Sequence, residues 1–228
     1  MSRPLRVLIT SGPTREPIDA VRFLSNASTG YMGTQLAQAA VDRGHRVTVI
    51  SGPVSEPLPR RARVVRVERA RQMQAALYRR ARQADVVIMA AAVSDFQLRR
   101  PTRGKIRRAG TLRLHLTATP DLLAGLPRRA GQVVAGFALE RGQAVVRAGE
   151  KLRKKRLDLM LAQEIGPRGS PFGRRAVRAW LLERGGVIPL GRCSKATVAR
   201  RLLDKAETLW YGQHMLSPRR KRSYALVA

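Results

Sequence analysis

The chain has a single cysteine and no long apolar run. Cys193 cannot form an internal disulfide, which argues against a disulfide-stapled secreted fold. No stretch approaches the roughly 18 apolar residues that a membrane helix needs. The first residues lead almost directly into a strand-like run, without the apolar segment and cleavage site of a secretory signal. We therefore expect a cytoplasmic location and no membrane partner.

Acidic and aromatic residues are also scarce. The chain has 15 Asp and Glu against 45 Lys and Arg, so its formal net charge is +30. This balance suits an anionic partner, either a nucleic acid or a phosphorylated small molecule. It also suits a solvated surface that is rich in arginine, which we favour because the arginines are scattered over every segment. Aromatic residues make up 4% of the chain and do not interleave with the cations, so a nucleic-acid partner is not expected.

Short apolar runs alternate with segments of helical spacing along the chain. Apolar runs that end at Gly or Pro predict strands, and apolar residues three and four apart predict helices. The predicted strands cover residues 6–10, 46–50, 64–67, 85–90, 132–137 and 157–162. The predicted helices cover residues 30–43, 70–82, 143–156 and 194–210. This alternation predicts an α/β, Rossmann-like three-layer fold with a mainly parallel sheet.

Four segments interrupt this alternation. Residues 101–110 are basic and predict a flap or arm that projects from the sheet. Residues 111–117 alternate in polarity and predict a half-exposed strand, and residues 120–126 predict a short helix. Two apolar runs, 176–182 and 187–190, flank a Gly-Gly turn and predict a C-terminal hairpin.

The chain shows no linker and no internal repeat. We therefore expect one domain over residues 1–212 and a basic, disordered tail over residues 213–228.

The loop after the first strand is unusually long, from Ser11 to Gly33. Ser28 or Thr29 can cap the following helix, and free N–H groups beside Gly30 would form an anion site. The same pattern is typical of an ordinary capped helix start. The first strand is followed by Ser-Gly-Pro and not by the G-x-G-x-x-G of dinucleotide-binding folds, which argues against a dehydrogenase.

Three other places carry charge near predicted strand ends. Small residues at 90–92 allow a ligand close to the backbone, and Asp95 follows them. An aspartate there is also a common turn former. The run Gly104–Arg108 puts cations on the arm, and Lys151 and Lys155 share one helix face, where their repulsion is tolerable if an anion lies between them. Solvated surface cations are the alternative interpretation of both features.

Together these segments resemble the phosphopantothenate–cysteine ligase family over residues 5–210. The most specific block is Ile9-Thr10-Ser11-Gly12-Pro13-Thr14-Arg15-Glu16-Pro17-Ile18-Asp19, which continues through Asn26 to Gly33. Supporting blocks follow in the family's order. They are Ala90 to Asp95, Lys105 to Arg108, Thr119 to Leu123, Gly136 to Ala138, and Lys151 to Asp158. The family's flavin decarboxylase half would precede residue 1, so the resemblance implies a stand-alone ligase and a separate decarboxylase as a possible partner.

The resemblance implies a two-step reaction in coenzyme A biosynthesis. CTP would react with the carboxylate of 4′-phosphopantothenate to give an acyl-cytidylate and pyrophosphate, and the amine of L-cysteine would then displace CMP. Mg²⁺ would accompany the phosphates. The chain shows no carboxylate cage, so the ion would be held mainly by substrate oxygens and no protein metal ligands are expected. The family also implies a homodimer, in which the flap of one subunit lies near the site of the other.

The resemblance also implies roles for particular residues. Asn26 matches the asparagine that holds the acyl intermediate, Arg22 lies near the same site, and Lys105 matches a flap lysine needed for the second step. The remaining matches contact the substrates. Gly12, Met89, Ala90, Ala91, Asp95, Lys105, Pro120, Asp121, Leu122, Leu123, Phe137, Lys151 and Lys155 are expected at the nucleotide, and Asn26, Ser28, Thr29, Gly30 and Ala92 at the acyl substrate.

Departures from the family pattern leave the choice between CTP and ATP open. The family commonly has lysine at Tyr31, Glu-Thr at Glu140-Arg141 and Asn-Asp at Gln163-Glu164. Two other functions remain as alternatives: an NAD(P)-dependent Rossmann oxidoreductase and a basic nucleic-acid-binding protein. The first would need a Tyr-x-x-x-Lys pair, which none of the tyrosines provides.

Overall fold

A computed structural model of the chain describes residues 3–166 and 171–215. Four helices and a set of strands follow in chain order. The strands are β1 (Arg6–Ser11), β2 (Arg15–Pro17), β3 (Phe23–Ser25), β4 (Arg46–Ser51), β5 (Arg63–Arg66), β6 (Val86–Met89), β7 (Phe96–Leu98), β8 (Leu116–Ala118), β9 (Val133–Glu140), β10 (Leu159–Glu164), β11 (Val177–Glu183) and β12 (Gly186–Cys193). The helices are α1 (Tyr31–Asp42), α2 (Ala70–Ala81), α3 (Ala144–Lys154) and α4 (Lys195–Met215).

Eight of the strands form one sheet in the order β12-β11-β10-β9-β6-β1-β4-β5. The six strands from β10 to β5 run parallel, and the hairpin of β11 and β12 adds two antiparallel strands at one edge. β6 lies near the centre and is buried along its whole length, as expected for a parallel strand covered on both faces. The predicted mainly parallel sheet and C-terminal hairpin are confirmed.

Helices cover both faces of the sheet. Alternate residues of β1 divide between two cores: Ile9 packs with α1 and α4, and Leu8 packs with α2 and α3. α1 and α4 also pack against each other, through a layer that includes Leu36 and Leu202. The three-layer arrangement is therefore confirmed, and it places α3 and α4 on opposite faces.

Two local predictions were wrong. Residues 120–126 form turns and not a helix, because the Asp121 carboxylate accepts the N–H groups of Leu123 and Ala124 and thereby closes a local turn. Of the strand predicted at 111–117, only the end forms part of a strand, the short β8. β8 pairs with β7 as a separate hairpin. The pairing of β2 with β3 in a second small hairpin was not predicted.

The end of the chain differs from the predicted boundary. α4 extends through Met215, so residues 213–215, which were assigned to the tail, belong to its last turn. The remainder of the predicted tail lies outside the described residues. Within the described part of the chain, no helix combines the length and apolar character that a membrane crossing requires.

Candidate functional site

A cavity of about 620 Å³ opens at the carboxyl ends of β6, β9 and β10. Ligands of open parallel sheets bind at this edge. Most of the residues predicted at the substrates line it. They are Asn26, Ser28, Thr29, Met89, Ala90, Ala91, Ala92, Asp95, Pro120, Asp121, Leu122, Leu123, Phe137, Lys151 and Lys155. The turn at 120–126 replaces the predicted helix, and its first residues, Pro120 to Leu123, still line the cavity.

The side-chain amide of Asn26 holds this residue at the carboxyl end of β6. Its Nδ2 donates hydrogen bonds to the carbonyl oxygens of Ala92 and Val93, at 3.1 and 3.0 Å. The small residues after β6 let the loop come this close to the strand end. Among the described residues, Asn26 forms no other side-chain hydrogen bond to a partner. The side-chain oxygen Oδ1 therefore remains available to a ligand in the cavity.

The start of α1 only partly matches the predicted anion site. Ser28 Oγ accepts the N–H of Gly30, and Thr29 Oγ1 accepts the N–H of Tyr31, both at 3.3 Å. These hydroxyls satisfy donors that an anion would otherwise use. Gly30 and Gly12 do not line the cavity. Both have positive φ, and a Cβ at either position would clash with Val54, so their role is to let the chain turn.

Lys151 and Lys155 reach the cavity from α3, but each has a carboxylate partner. Lys151 Nζ lies 2.5 Å from Glu140 Oε1, and Lys155 Nζ lies 3.0 Å from Asp121 Oδ2. These ion pairs relieve the mutual repulsion of the two lysines within the chain, so an anion between them is not required for that purpose. Burial raises the pKa of Glu140, but hydrogen bonds and charge from Lys151 and Arg147 outweigh it and lower the pKa overall.

Arg22 and Lys105 lie outside the cavity in the single chain. The Arg22 guanidinium donates to the Asp19 carboxylate and to the carbonyl of Ile106, both at 2.6 Å. Arg22 therefore holds the basic arm of its own chain. Lys105 is exposed on that arm, and within the described residues its side chain forms no ion pair or hydrogen bond.

Asp19 is the centre of a clasp that docks the arm. Its buried carboxylate accepts hydrogen bonds from the backbone of Val21, Arg22 and Ile106 and from the Arg22 side chain. Burial raises the pKa of Asp19, but these hydrogen bonds outweigh it and hold the pKa well below its usual range. Because the pKa is lower in the folded chain, the clasp contributes stability above a pH of about 4. That contribution is lost only as the pH falls towards the lowered pKa.

Replacing Asp19 by asparagine is expected to release the arm. The amide would still accept some of the N–H groups, but it would lose the charge that holds Arg22 and would present N–H groups to donors. The arm is rich in arginine, so trypsin cleavage within residues 99–113 should become at least ~3-fold faster than in the wild type. An Asp42→Asn variant, which changes an exposed carboxylate on α1, should keep the wild-type rate. Equal cleavage of the arm in Asp19→Asn and wild-type protein would contradict the clasp.

The sequence prediction missed several cavity residues, among them Lys195 and Gln163. Ser194 was predicted as the N-cap of the last helix, and its Oγ does accept the N–H of Thr197 at 3.1 Å. That capping pattern places Lys195 in the first turn of α4, which was the available signal. The cavity wall also includes Tyr31 and Thr119, which lie beside residues that the sequence did single out.

The described residues offer no protein metal site, since they contain no cluster of three His, Cys, Asp or Glu side chains that could hold an ion. Asp95 and Asp121 are the two acidic residues at the cavity, and Asp121 is already paired with Lys155. The residues therefore fit a ligand that brings its own cation better than a resident metal.

The fold and the cavity define an α/β protein of the Rossmann-like class, with its binding site at the carboxyl edge of the parallel strands. The family described as the DNA/pantothenate metabolism flavoprotein C-terminal domain matches residues 3–209. The chain therefore belongs to that family, and the resemblance found in the sequence is confirmed.

Known proteins support this assignment. The chain is 36% identical over 209 residues to a cysteine/cysteine sulfinic acid decarboxylase from an unknown prokaryotic organism, which covers 90% of this chain and 58% of that protein. It is 37% identical over 222 residues to the coenzyme A biosynthesis bifunctional protein CoaBC of Mycobacterium tuberculosis, covering 91% and 53%. The crystal structure of a CoaBC C-terminal domain superposes with a TM-score of 0.78 at 32% identity, covering 91% of this chain and 96% of that one. The chain thus spans little more than half of the curated relatives.

Proposed function

We propose that the protein is a ligase of coenzyme A biosynthesis that couples 4′-phosphopantothenate to L-cysteine through an acyl-nucleotidylate. The supporting observation is the single cavity that brings Asn26, the small residues after β6 and the ion-paired lysines of α3 to one edge of the sheet. The family and the similarity to CoaBC proteins supply the substrate class.

In the first step, a carboxylate oxygen of phosphopantothenate attacks the α-phosphorus of the nucleotide, and pyrophosphate leaves. The nucleotide would lie against the 120–123 turn, Phe137 and α3. There Lys151 and Lys155 can exchange their carboxylate partners for phosphate oxygens. Alternatively, they can remain paired with those carboxylates while they contact the nucleotide base. The acyl group would lie at Asn26. The side-chain oxygen Oδ1 of Asn26 is left for the ligand, because the side-chain N–H groups donate to the backbone carbonyls of Ala92 and Val93.

In the second step, the cysteine amine attacks the acyl carbon, the C–O bond to the nucleotide breaks, and the nucleoside monophosphate leaves while the amine loses a proton. CTP is our proposed nucleotide because the resemblance favours it. Mg²⁺ would enter bound to the nucleotide's phosphates, where it would neutralise part of their charge. No protein group among the described residues is assigned to hold it.

We further propose that the enzyme acts as a homodimer. The hairpins β2–β3 and β7–β8 beside the arm carry large exposed apolar side chains, which is typical of a protein–protein contact. They include Val21, which is 62% exposed, and Phe96, which is 51% exposed. Because Lys105 lies outside the cavity of its own chain, a partner's arm would supply this lysine. We expect a cytoplasmic location and a separate phosphopantothenoylcysteine decarboxylase as the next enzyme.

The assay combines the protein with CTP or ATP, MgCl₂, phosphopantothenate and cysteine, and omits each component in turn. Pyrophosphate release should require the nucleotide and phosphopantothenate, and phosphopantothenoylcysteine should form only when cysteine is added. Pyrophosphate release that is independent of phosphopantothenate would reject the proposed function. Cysteine consumption with CO₂ release instead would point to the activity named for the 36%-identical relative.

A further inference from the structure

Lys195 differs from the other lysines of the cavity because it has no acidic partner. It is the first residue of α4, it is only 4% exposed, and it lines the cavity. Its ammonium donates one hydrogen bond, to the carbonyl of Pro171 at 2.9 Å. In the described part of the chain no carboxylate pairs with it, whereas Lys151 and Lys155 are both in ion pairs. Two N–H donors of Lys195 are therefore left for a ligand.

Gln163 adds a second unused donor at the same wall. It lies near the end of β10, it is 8% exposed, and it also lines the cavity. Its buried Nε2 has no hydrogen-bond partner among the described residues. Buried amide groups are normally paired, so an unpaired one on a residue that lines a cavity indicates a place for an acceptor. A cation and an amide donor that line the same cavity suit an oxyanion such as a phosphate.

The position of this wall relates it to the acyl substrate and not to the nucleotide. α4 packs against α1 on one face of the sheet, and Asn26 to Thr29 lead directly into α1. α3, with Lys151 and Lys155, covers the opposite face. The cavity thus runs across the sheet edge, with ion-paired lysines on one side and an unpaired lysine on the other. Phosphopantothenate also has two ends, since its phosphate and its reacting carboxylate lie at opposite ends of the molecule.

We propose that Lys195 and Gln163 bind the phosphate group of the phosphorylated acid, while its carboxylate lies at Asn26 beside the nucleotide. This inference rests on the proposed function, which defines the substrate. The two residues would select the phosphorylated acid over its unphosphorylated form, pantothenate.

The ionisation of Lys195 is consistent with such a ligand. Burial lowers the pKa of its ammonium, since no carboxylate in the described residues compensates for the lost hydration. A bound phosphate dianion would raise the pKa of Lys195 again. Binding would then be strengthened by an ion pair in a site that water reaches poorly.

The test measures the binding of two acids by calorimetry. Phosphopantothenate or pantothenate is titrated into protein saturated with MgCl₂ and α,β-methylene-CTP, a nucleotide that cannot release pyrophosphate. The wild type should bind phosphopantothenate at least ~10-fold more tightly than pantothenate. Lys195→Met should reduce the preference for phosphopantothenate to about 3-fold or less, and Gln163→Leu should also reduce it. Both variants should leave nucleotide affinity within about 3-fold of the wild type.

A matched control is Lys205→Met, which removes a lysine of the same helix that pairs with Glu183 outside the cavity. It should keep the full preference for the phosphorylated acid. An unchanged preference in folded Lys195→Met protein would overturn the inference, and so would a loss confined to nucleotide binding, which would place Lys195 at the triphosphate. A wild type that turns over substrate but binds both acids equally would refute the inference alone. A wild type that binds neither acid and releases no pyrophosphate would refute the proposed function.

Discussion

Replacing Asn26 by aspartate is expected to lower phosphopantothenate-dependent pyrophosphate release by roughly 10²–10³-fold, the range seen when one preorganised polar group is lost from a site. The Asn26 amide donates to two backbone carbonyls. An aspartate would place a carboxylate against those two oxygens, and it cannot donate to either. The side chain would turn away and would add a negative charge where two anionic substrates must approach each other.

The measurement is initial-rate pyrophosphate release, with thermal unfolding recorded in parallel. An Asn26→Ala variant separates the lost contact from the added charge, and it should fall less than the aspartate variant. Gln74→Glu makes the same amide-to-carboxylate change on α2, away from the cavity, and should retain the wild-type rate. Near-normal turnover by folded Asn26→Asp protein would show that this residue does not contact the reacting groups.

Replacing Lys105 by glutamine is expected to separate the two steps of the reaction. Because Lys105 is proposed to act in the second step, pyrophosphate release in a single turnover should stay within about 3-fold of the wild type. Formation of the cysteine product should fall at least ~100-fold, because a cation that stabilises the departing nucleotide or the incoming cysteine carboxylate is lost. Arg103→Gln, a neutralisation two residues away on the same arm, serves as the control and should affect neither step strongly.

The same lysine tests where the arm acts. Asn26→Asp and Lys105→Gln subunits are co-expressed with different tags, and the mixed dimer is purified. If each arm serves the partner's cavity, one site of the mixed dimer carries both lesions and the other carries none, so about half of the wild-type activity should return. If each arm serves its own cavity, every site carries one lesion and activity stays low, which would rule out the exchanged arm.

The sheet could be predicted because its signals are local. β6 and its neighbours are continuous apolar runs, and the intervening helices have apolar residues at helical spacing, so burial on both faces follows from the sequence. Most of the predicted substrate contacts reach one cavity for a related reason: they follow strand ends, and the ends of parallel strands share one edge.

The remaining features depend on contacts that are distant in sequence. The turn at 120–126 is an exception, because there the Asp121 side chain competes locally for the N–H groups of Leu123 and Ala124. The ion pair of Lys151 with Glu140 joins α3 to the preceding strand β9. The Arg22 side chain binds the Asp19 carboxylate and the Ile106 carbonyl, which lie together only in the folded chain. The Ser194 capping pattern indicates only that Lys195 begins the last helix, and not that it lines the cavity. Its role emerges only when its burial and its lack of a carboxylate partner are seen together.

The most direct test follows an oxygen atom. Phosphopantothenate labelled with ¹⁸O in both carboxylate oxygens is incubated with the protein, CTP, MgCl₂ and cysteine, and the products are analysed by mass spectrometry. If the carboxylate attacks the α-phosphorus within this cavity, CMP will carry one ¹⁸O and the new amide will keep the other. Label in inorganic phosphate, or CMP without label while the amide forms, would show that the two anions do not react with each other in this way.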